Sequence, residues 1–237
     1  MNAIHLQLAG HVVRVATEYR ISPDFYADFR TNAAADFCVP ITDEDIDFSL
    51  YDELKIKKIR PIIPRVLEKM AEALLTFDVL LMHGAVIALN GKAYMFTAVS
   101  GTGKTTHIMK WLEHCPDAFV VNGDKPFIRL NDDGTVLACG SPWAGKENLY
   151  TNTMVPLKSI ILMERAEDNH IERISFAEAF PKLLQQTYRP EDPDKMRKTL
   201  KLMQWLNPAV SFWRFQCNNF KDDCFDVAYN ALVGQDQ

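Results

Sequence analysis

Apolar residues recur along the chain with two periods, alternating and helical, and their succession predicts an α/β protein. Residues 4–16, IHLQLAGHVVRVA, and 36–41, DFCVPI, read as short strands. The acidic stretch TDEDIDFSLYDE after them has the composition of a solvated connection. Residues 1–60 therefore read as a small β-rich N-terminal region, and 61–237 as the main domain. Pro61 and Pro64 punctuate the entry to a helix over 65–77, in which Val66, Leu67, Met70, Leu74 and Leu75 keep helical spacing. The run GAVIALNGKAYMFTA at 84–98 has Asn90-Gly91 between two apolar segments, a strong hairpin signal because a type I′ turn needs positive φ at both central positions.

Farther on, Ile108, Met109, Trp111 and Leu112 suit one face of a helix that stops near Cys115-Pro116. AFVVNGD is a short strand ending at Asp124, and PFIRL, NDDG and TVLACG make a further hairpin. Past the loop SPWAGKENLYTN, KSIILME is another strand. Ser175 and Glu178 form a capping box that opens a helix running to about Tyr188. RPEDPD separates it from a second helix, expected to end before Pro208. Alternating VSFWRFQC is a late strand, and 223–233 a closing helix.

Composition narrows the function classes. With 48% hydrophobic and 24% charged residues in 237, a core is within reach without metal or disulfide. A net charge of −5 argues against nucleic acid as the main partner. The most apolar stretch, ALLTFDVLLMHGAVIAL, is broken by Asp78 and His83, so no membrane span is expected. Five scattered cysteines, no C-x-x-C pair and no signal-like start point to reduced thiols in a cytoplasmic protein.

The chemistry is concentrated in TAVSGTGKTTH, 97–107. It matches the phosphate-loop pattern G-x-x-x-x-G-K-[ST] except that Ala98 replaces the first glycine, a position that needs a small residue rather than glycine itself. Gly101 and Gly103 allow successive N–H groups to point into one concavity, and the helix opening near Lys104 adds its positive end. The cofactor-binding set is Ser100, Gly101, Thr102, Gly103, Lys104, Thr105 and Thr106, with Lys104 reaching phosphates and the Thr105 hydroxyl on Mg²⁺. Asp124, at the tip of FVVNGD, is the expected acid that completes the metal site. A turn before a core helix, and an ordinary turn aspartate, are the plain alternatives. Lys125 either touches a phosphate or solvates the turn.

The order of elements, a hairpin before the loop and another after the acidic strand, differs from alternating strand–helix kinases and GTPases. Neither N-K-x-D nor LSGGQ occurs. SGTGKTT at 100–106, NGD ending the next strand, FIRLNDDGTVLACG, and His83-Gly84 resemble the HPr kinase/phosphorylase family and the nucleotide domain of phosphoenolpyruvate carboxykinase. The resemblance covers residues 80–150. It implies a mixed-sheet P-loop fold of that type, with the β-rich region as an extension. It also implies ATP and Mg²⁺ as cofactors, and an aspartate serving as base or metal ligand. HPr kinases have two adjacent aspartates where this chain has Gly123-Asp124-Lys125, so Asp124 must serve as one or the other. Carboxykinase activity is not expected, as those enzymes are much longer. The natural acceptor is a serine-like hydroxyl of a small molecule or peptide.

Lys146 and Glu147 in SPWAGKENL are candidates for the transferring phosphoryl group and the metal, set against a solvated pair beside a Trp143 core anchor. Arg165 is a candidate charge-stabilising residue, or a surface arginine; Arg189 is a weaker one. His83 either approaches the phosphates or is a hydrogen-bonded core histidine. The catalytic set is thus Asp124, Lys104, Lys146 and Arg165, and the metal set Thr105, Asp124 and Glu147. A nucleotide-binding regulatory protein with little turnover is the competing expectation. Nothing in the sequence gives the oligomeric state.

Overall fold

The computed structural model describes residues 2–18, 24–45 and 62–234, with only the backbone of Ile62. Much of the acidic connection, from residue 46, lies outside the described residues. Strands β1 (Asn2–Leu8) and β2 (His11–Thr17) form a hairpin whose turn, Ala9-Gly10, has positive φ at both positions. Strand β3 (Phe37–Ile41) adds in parallel to β2 and completes a three-stranded sheet. Helix α1 (Ile62–Leu74) covers it. Leu6, Val13 and Phe29 share one apolar cluster with Met70 and Leu74 of α1 and with Phe127 and Trp143.

A nine-stranded sheet carries the rest. Strands β4 (Val79–Leu81), β5 (Ala85–Leu89) and β6 (Lys92–Thr97) are followed by α2 (Lys104–His114) and β7 (Phe119–Asn122). The hairpin β8 (Phe127–Leu130) and β9 (Val136–Cys139) leads to the long β10 (Met154–Arg165). Then come β11 (His170–Ile174), α3 (Phe176–Gln186), α4 (Pro193–Ala209), β12 (Ser211–Cys217) and α5 (Cys224–Leu232). Strand β10 is the trunk: its first residues pair with β9, the rest with β12 on that side, and β6 runs along the other. Residues of β5 alternate between two clusters, Ala85 and Ile87 toward α2 and α5, Val86 and Ala88 toward α3 and α4. Both faces are covered, which is why these strands are continuous apolar runs.

Asn90 and Gly91 both have positive φ, as the hairpin expectation requires. Ser175 and Glu178 make both bonds of the capping box. Helix α4 does not end before Pro208 but runs through it to Ala209. In the final turn a missing N–H costs one bond with Gln204 and breaks no further turn, and Val210 N–H closes the helix on Leu206. Two strands went unread in the sequence. β4 is too short for periodicity, and β11 is a charged edge strand, HIERI, held only by β12. Among the described residues no helix is long and apolar enough to cross a membrane.

Sheet direction sets the site. Strands β6, β10 and β12 are neighbouring parallel strands, and β7 runs the same way because it and β6 are both antiparallel to β5. Their carboxyl ends therefore lie along one edge, the usual place for a ligand in an open α/β sheet. Thr97, Asn122, Arg165 and Cys217 end these strands, and His83-Gly84 enters β5 at the same edge.

Candidate phosphate-binding site

The segment between β6 and α2 is a loop into a helix N-terminus, the context the motif requires. Gly101 (φ 81°) and Gly103 (φ 111°) adopt left-handed backbone, the second as the residue capping α2. A Cβ on Gly103 would lie 2.4 Å from Nδ2 of Asn219. Ala98 has no positive φ and is buried against the α2–α5 side of the sheet, which explains why glycine is dispensable there.

Lys104 is the first residue of α2 and 7% exposed. Its ammonium donates to the carbonyl oxygens of Ala98 (3.0 Å) and Val99 (3.4 Å), so the side chain curls inside its own loop. Burial lowers its pKa, with the charge of Asp124 opposing that shift and Lys125 adding to it.

Asp124 is held by a built turn. Buried Asn122 accepts through Oδ1 from the N–H of Asp124 (2.9 Å) and of Lys125 (2.7 Å). Its Nδ2 donates to the carbonyl oxygen (2.9 Å) and Oγ (3.0 Å) of buried Ser141. The carboxylate then meets His83 Nε2 at 3.2 Å and Lys125 Nζ at 3.1 Å. Burial pushes its pKa up, but His83 and Lys125 more than offset this and hold it below the usual carboxylate value. His83 is positioned from behind, with Nδ1 2.8 Å from Oε1 of Gln186 at the end of α3 and its N–H on the Gln186 carbonyl oxygen (2.7 Å).

One cleft of about 610 Å³ is lined by His83, the loop residues Ser100, Gly101, Gly103, Lys104, Thr105 and Thr106, by Asp124 and Lys125, and by Gly145, Lys146 and Glu147. Lys146 and Glu147 are exposed at its rim, on a loop anchored by Trp143, whose indole N–H donates to the Ile63 carbonyl oxygen (3.2 Å). Gly145 (φ 80°) lies against Asp124, close enough that a Cβ would sit 3.1 Å from the Asp124 Cβ.

Arg165 and Thr102 stand apart from that set. They line an adjoining cleft of about 550 Å³ with Cys217, Asn218, Asn219 and the exposed Phe220, where Arg165 donates to the Gly101 carbonyl oxygen. Arg165 thus grips the back of the loop instead of facing Asp124. Asn122, Gln186 and Asn219 were missing from the expected site. Only Asn122 carried a signal, in NGD, where an asparagine before glycine commonly accepts bonds from the following amides.

No protein-family model matches this chain, and no curated protein does. Among solved structures, the Hpr(Ser) kinase/phosphatase from Coxiella burnetii is similar to it. The match has 9% identity and a TM-score of 0.40, and covers 66% of this chain and 99% of that one. Such a likeness transfers no substrate and no activity.

Proposed function

We propose that the cleft binds a nucleoside triphosphate, ATP with Mg²⁺, and that the protein transfers its terminal phosphoryl group to a hydroxyl of a small molecule or peptide. The observation that carries this is the meeting of Lys104 and Asp124 in one cleft below a loop with two left-handed glycines. The loop amides and Lys104 suit the polyphosphate. Thr105, Asp124 and Glu147 are oxygen donors suited to a hard divalent cation, which would supply charge neutralisation between the phosphates. A carboxylate held below its usual pKa stays anionic and is a weak base, so Asp124 suits a metal ligand better than a proton acceptor. His83 keeps that carboxylate oriented, and Lys125 and Lys146 offer charge for a transferring phosphoryl group. Phosphoryl transfer depends mainly on positioning and charge stabilisation, which this set supplies.

The contacts of His83 and Lys125 with the two oxygens of Asp124 also support a second reading, a nucleotide-binding regulatory protein without turnover, since this carboxylate is engaged on both sides and Gly123 and Lys125 flank it in place of a second aspartate. The deciding experiment follows ADP release from MgATP with serine, hydroxy metabolites and serine-containing peptides. Acceptor-stimulated release that Lys104→Ala and Asp124→Asn both abolish supports the kinase. Binding of MgATP that alters association with a partner, with no turnover, supports the regulator. Absence of both binding and turnover defeats both readings.

A further inference from the structure

Behind the phosphate loop lies a buried cluster that phosphoryl transfer does not use. Cys217 ends β12 and Cys224 begins α5, and their sulfurs are 3.3 Å apart. Both sulfurs lie 3.3 Å from Oδ1 of Asn219. Asn219 in turn donates through Nδ2 to the carbonyl oxygen of Gly103 at 3.1 Å, the same oxygen that accepts the first helical bond of α2 from His107 N–H at 3.0 Å. One side chain therefore touches both thiols and the phosphate loop.

His107 Nδ1 lies 3.5 Å from Cys224 Sγ, and these three donors fall within 4.8 Å of one another, a spacing a soft metal ion would also use. Trp111 argues against an ion. Its indole N–H donates to His107 Nε2 at 3.1 Å, so Nε2 keeps its lone pair and the ring proton sits on Nδ1, facing Cys224. A ring nitrogen carrying a proton is not a ligand.

We propose that Cys217 and Cys224 are a thiol-oxidation site, closed to a disulfide by a peroxide, and that the phosphate loop senses its state through Asn219. The hydrogen bond from Cys217 favours the thiolate on Cys224 and raises the pKa of Cys217. Cys217 lines the open cleft beside Asn218 and Phe220, so a small oxidant meets it first. Its proton passes to Cys224 as its sulfur attacks a peroxide oxygen; the O–O bond breaks, hydroxide leaves and a sulfenic acid forms. Cys224 sulfur then attacks that sulfur, the S–O bond breaks, and the Cys224 proton leaves with the hydroxide as water. Once the first hydroxide takes a solvent proton, one peroxide has become two waters and two thiols one disulfide.

Closure brings the sulfurs from 3.3 Å to about 2.05 Å and removes the Cys217 S–H, the thiol proton within reach of Asn219 Oδ1. Asn219 Oδ1 then loses that donor and the grip on Gly103 slackens. Loop amides over 100–106 should exchange faster. On the nucleotide-binding reading above, MgATP affinity should fall roughly five-fold, as for one lost hydrogen bond.

The test treats the folded protein with hydrogen peroxide and maps tryptic peptides without reductant. Residues 215–221 should appear linked to the peptide beginning at Asp222, and Cys217→Ser or Cys224→Ser should abolish the link. Hydrogen exchange over 98–107 is then compared between reduced and oxidised protein without nucleotide, so a failure of nucleotide binding leaves this result intact. Asn219→Ala should still form the link but show fast loop exchange in both states. Overturning results are no linked peptide in protein that stays folded, or a linked peptide with unchanged loop exchange. Zinc retained at one per chain against a chelator, and released by Cys217→Ser, would also overturn it.

Discussion

Lys104 and Asp124 are held in opposite ways, and that asymmetry is testable. Lys104 rests on main-chain carbonyls in a buried loop, so its charge is a cost to the free protein. Lys104→Met should abolish MgATP binding, by at least about 100-fold in Kd for a charge-assisted phosphate contact, without lowering the thermal midpoint. Between the lowered folded pKa of Lys104 and its unfolded value near 10.4, the unfolded chain binds more protons, so wild type gains stability on Lys104→Met as pH rises. Asp124 behaves conversely. With its folded pKa below the unfolded value of about 3.9, its stabilisation is complete above that value and is lost as pH falls through the folded pKa. Asp124→Asn should cost about 1 kcal/mol near neutrality. Unfolding titrations should show the difference from wild type shrinking toward zero in acid.

At the scale of elements, the site depends on turns more than on the strands that carry them. Asn122→Ala removes four hydrogen bonds and leaves the Ser141 carbonyl and the Asp124 amide without their partner, while the Lys125 amide keeps the Trp143 carbonyl oxygen. The expected cost is about 3 kcal/mol in denaturant unfolding, together with weaker Mg²⁺ dependence of nucleotide binding as Asp124 drifts. Gly145→Ala should be felt mainly at the site, since its Cβ would crowd Asp124 and its left-handed backbone disfavours a side chain. How much of this was legible in the sequence follows from range. The Asn90-Gly91 hairpin, the capping box at Ser175 and the loop before α2 are local, and each was readable from a few adjacent residues. The contact of His83 with Asp124 spans strands, and that of Asn219 with Gly103 spans about half of the chain, so neither pairing has a sequence period. Arg165 shows the same limit: its place at the end of β10 was readable, its turn toward the Gly101 carbonyl was not.

Across the whole molecule, four strands sharing a direction bring residues far apart in sequence to one edge, and a second core under α1 supports the Trp143 loop from below. Phe29, fully buried there, links the N-terminal sheet to Tyr150 and its neighbours. Phe29→Ala should therefore cost about 3–5 kcal/mol. Tryptophan fluorescence and far-UV circular dichroism should still report one coincident unfolding transition, as a core shared by both sheets requires. Two separate transitions would show that the N-terminal sheet folds independently. Calorimetric titration of MgATP into wild type and Lys104→Ala, with and without EDTA, decides whether this edge is a metal–nucleotide site. Saturable binding at one site per chain is expected, weakened by EDTA and lost in Lys104→Ala. Equal heats for the two proteins, or none for wild type, would contradict it.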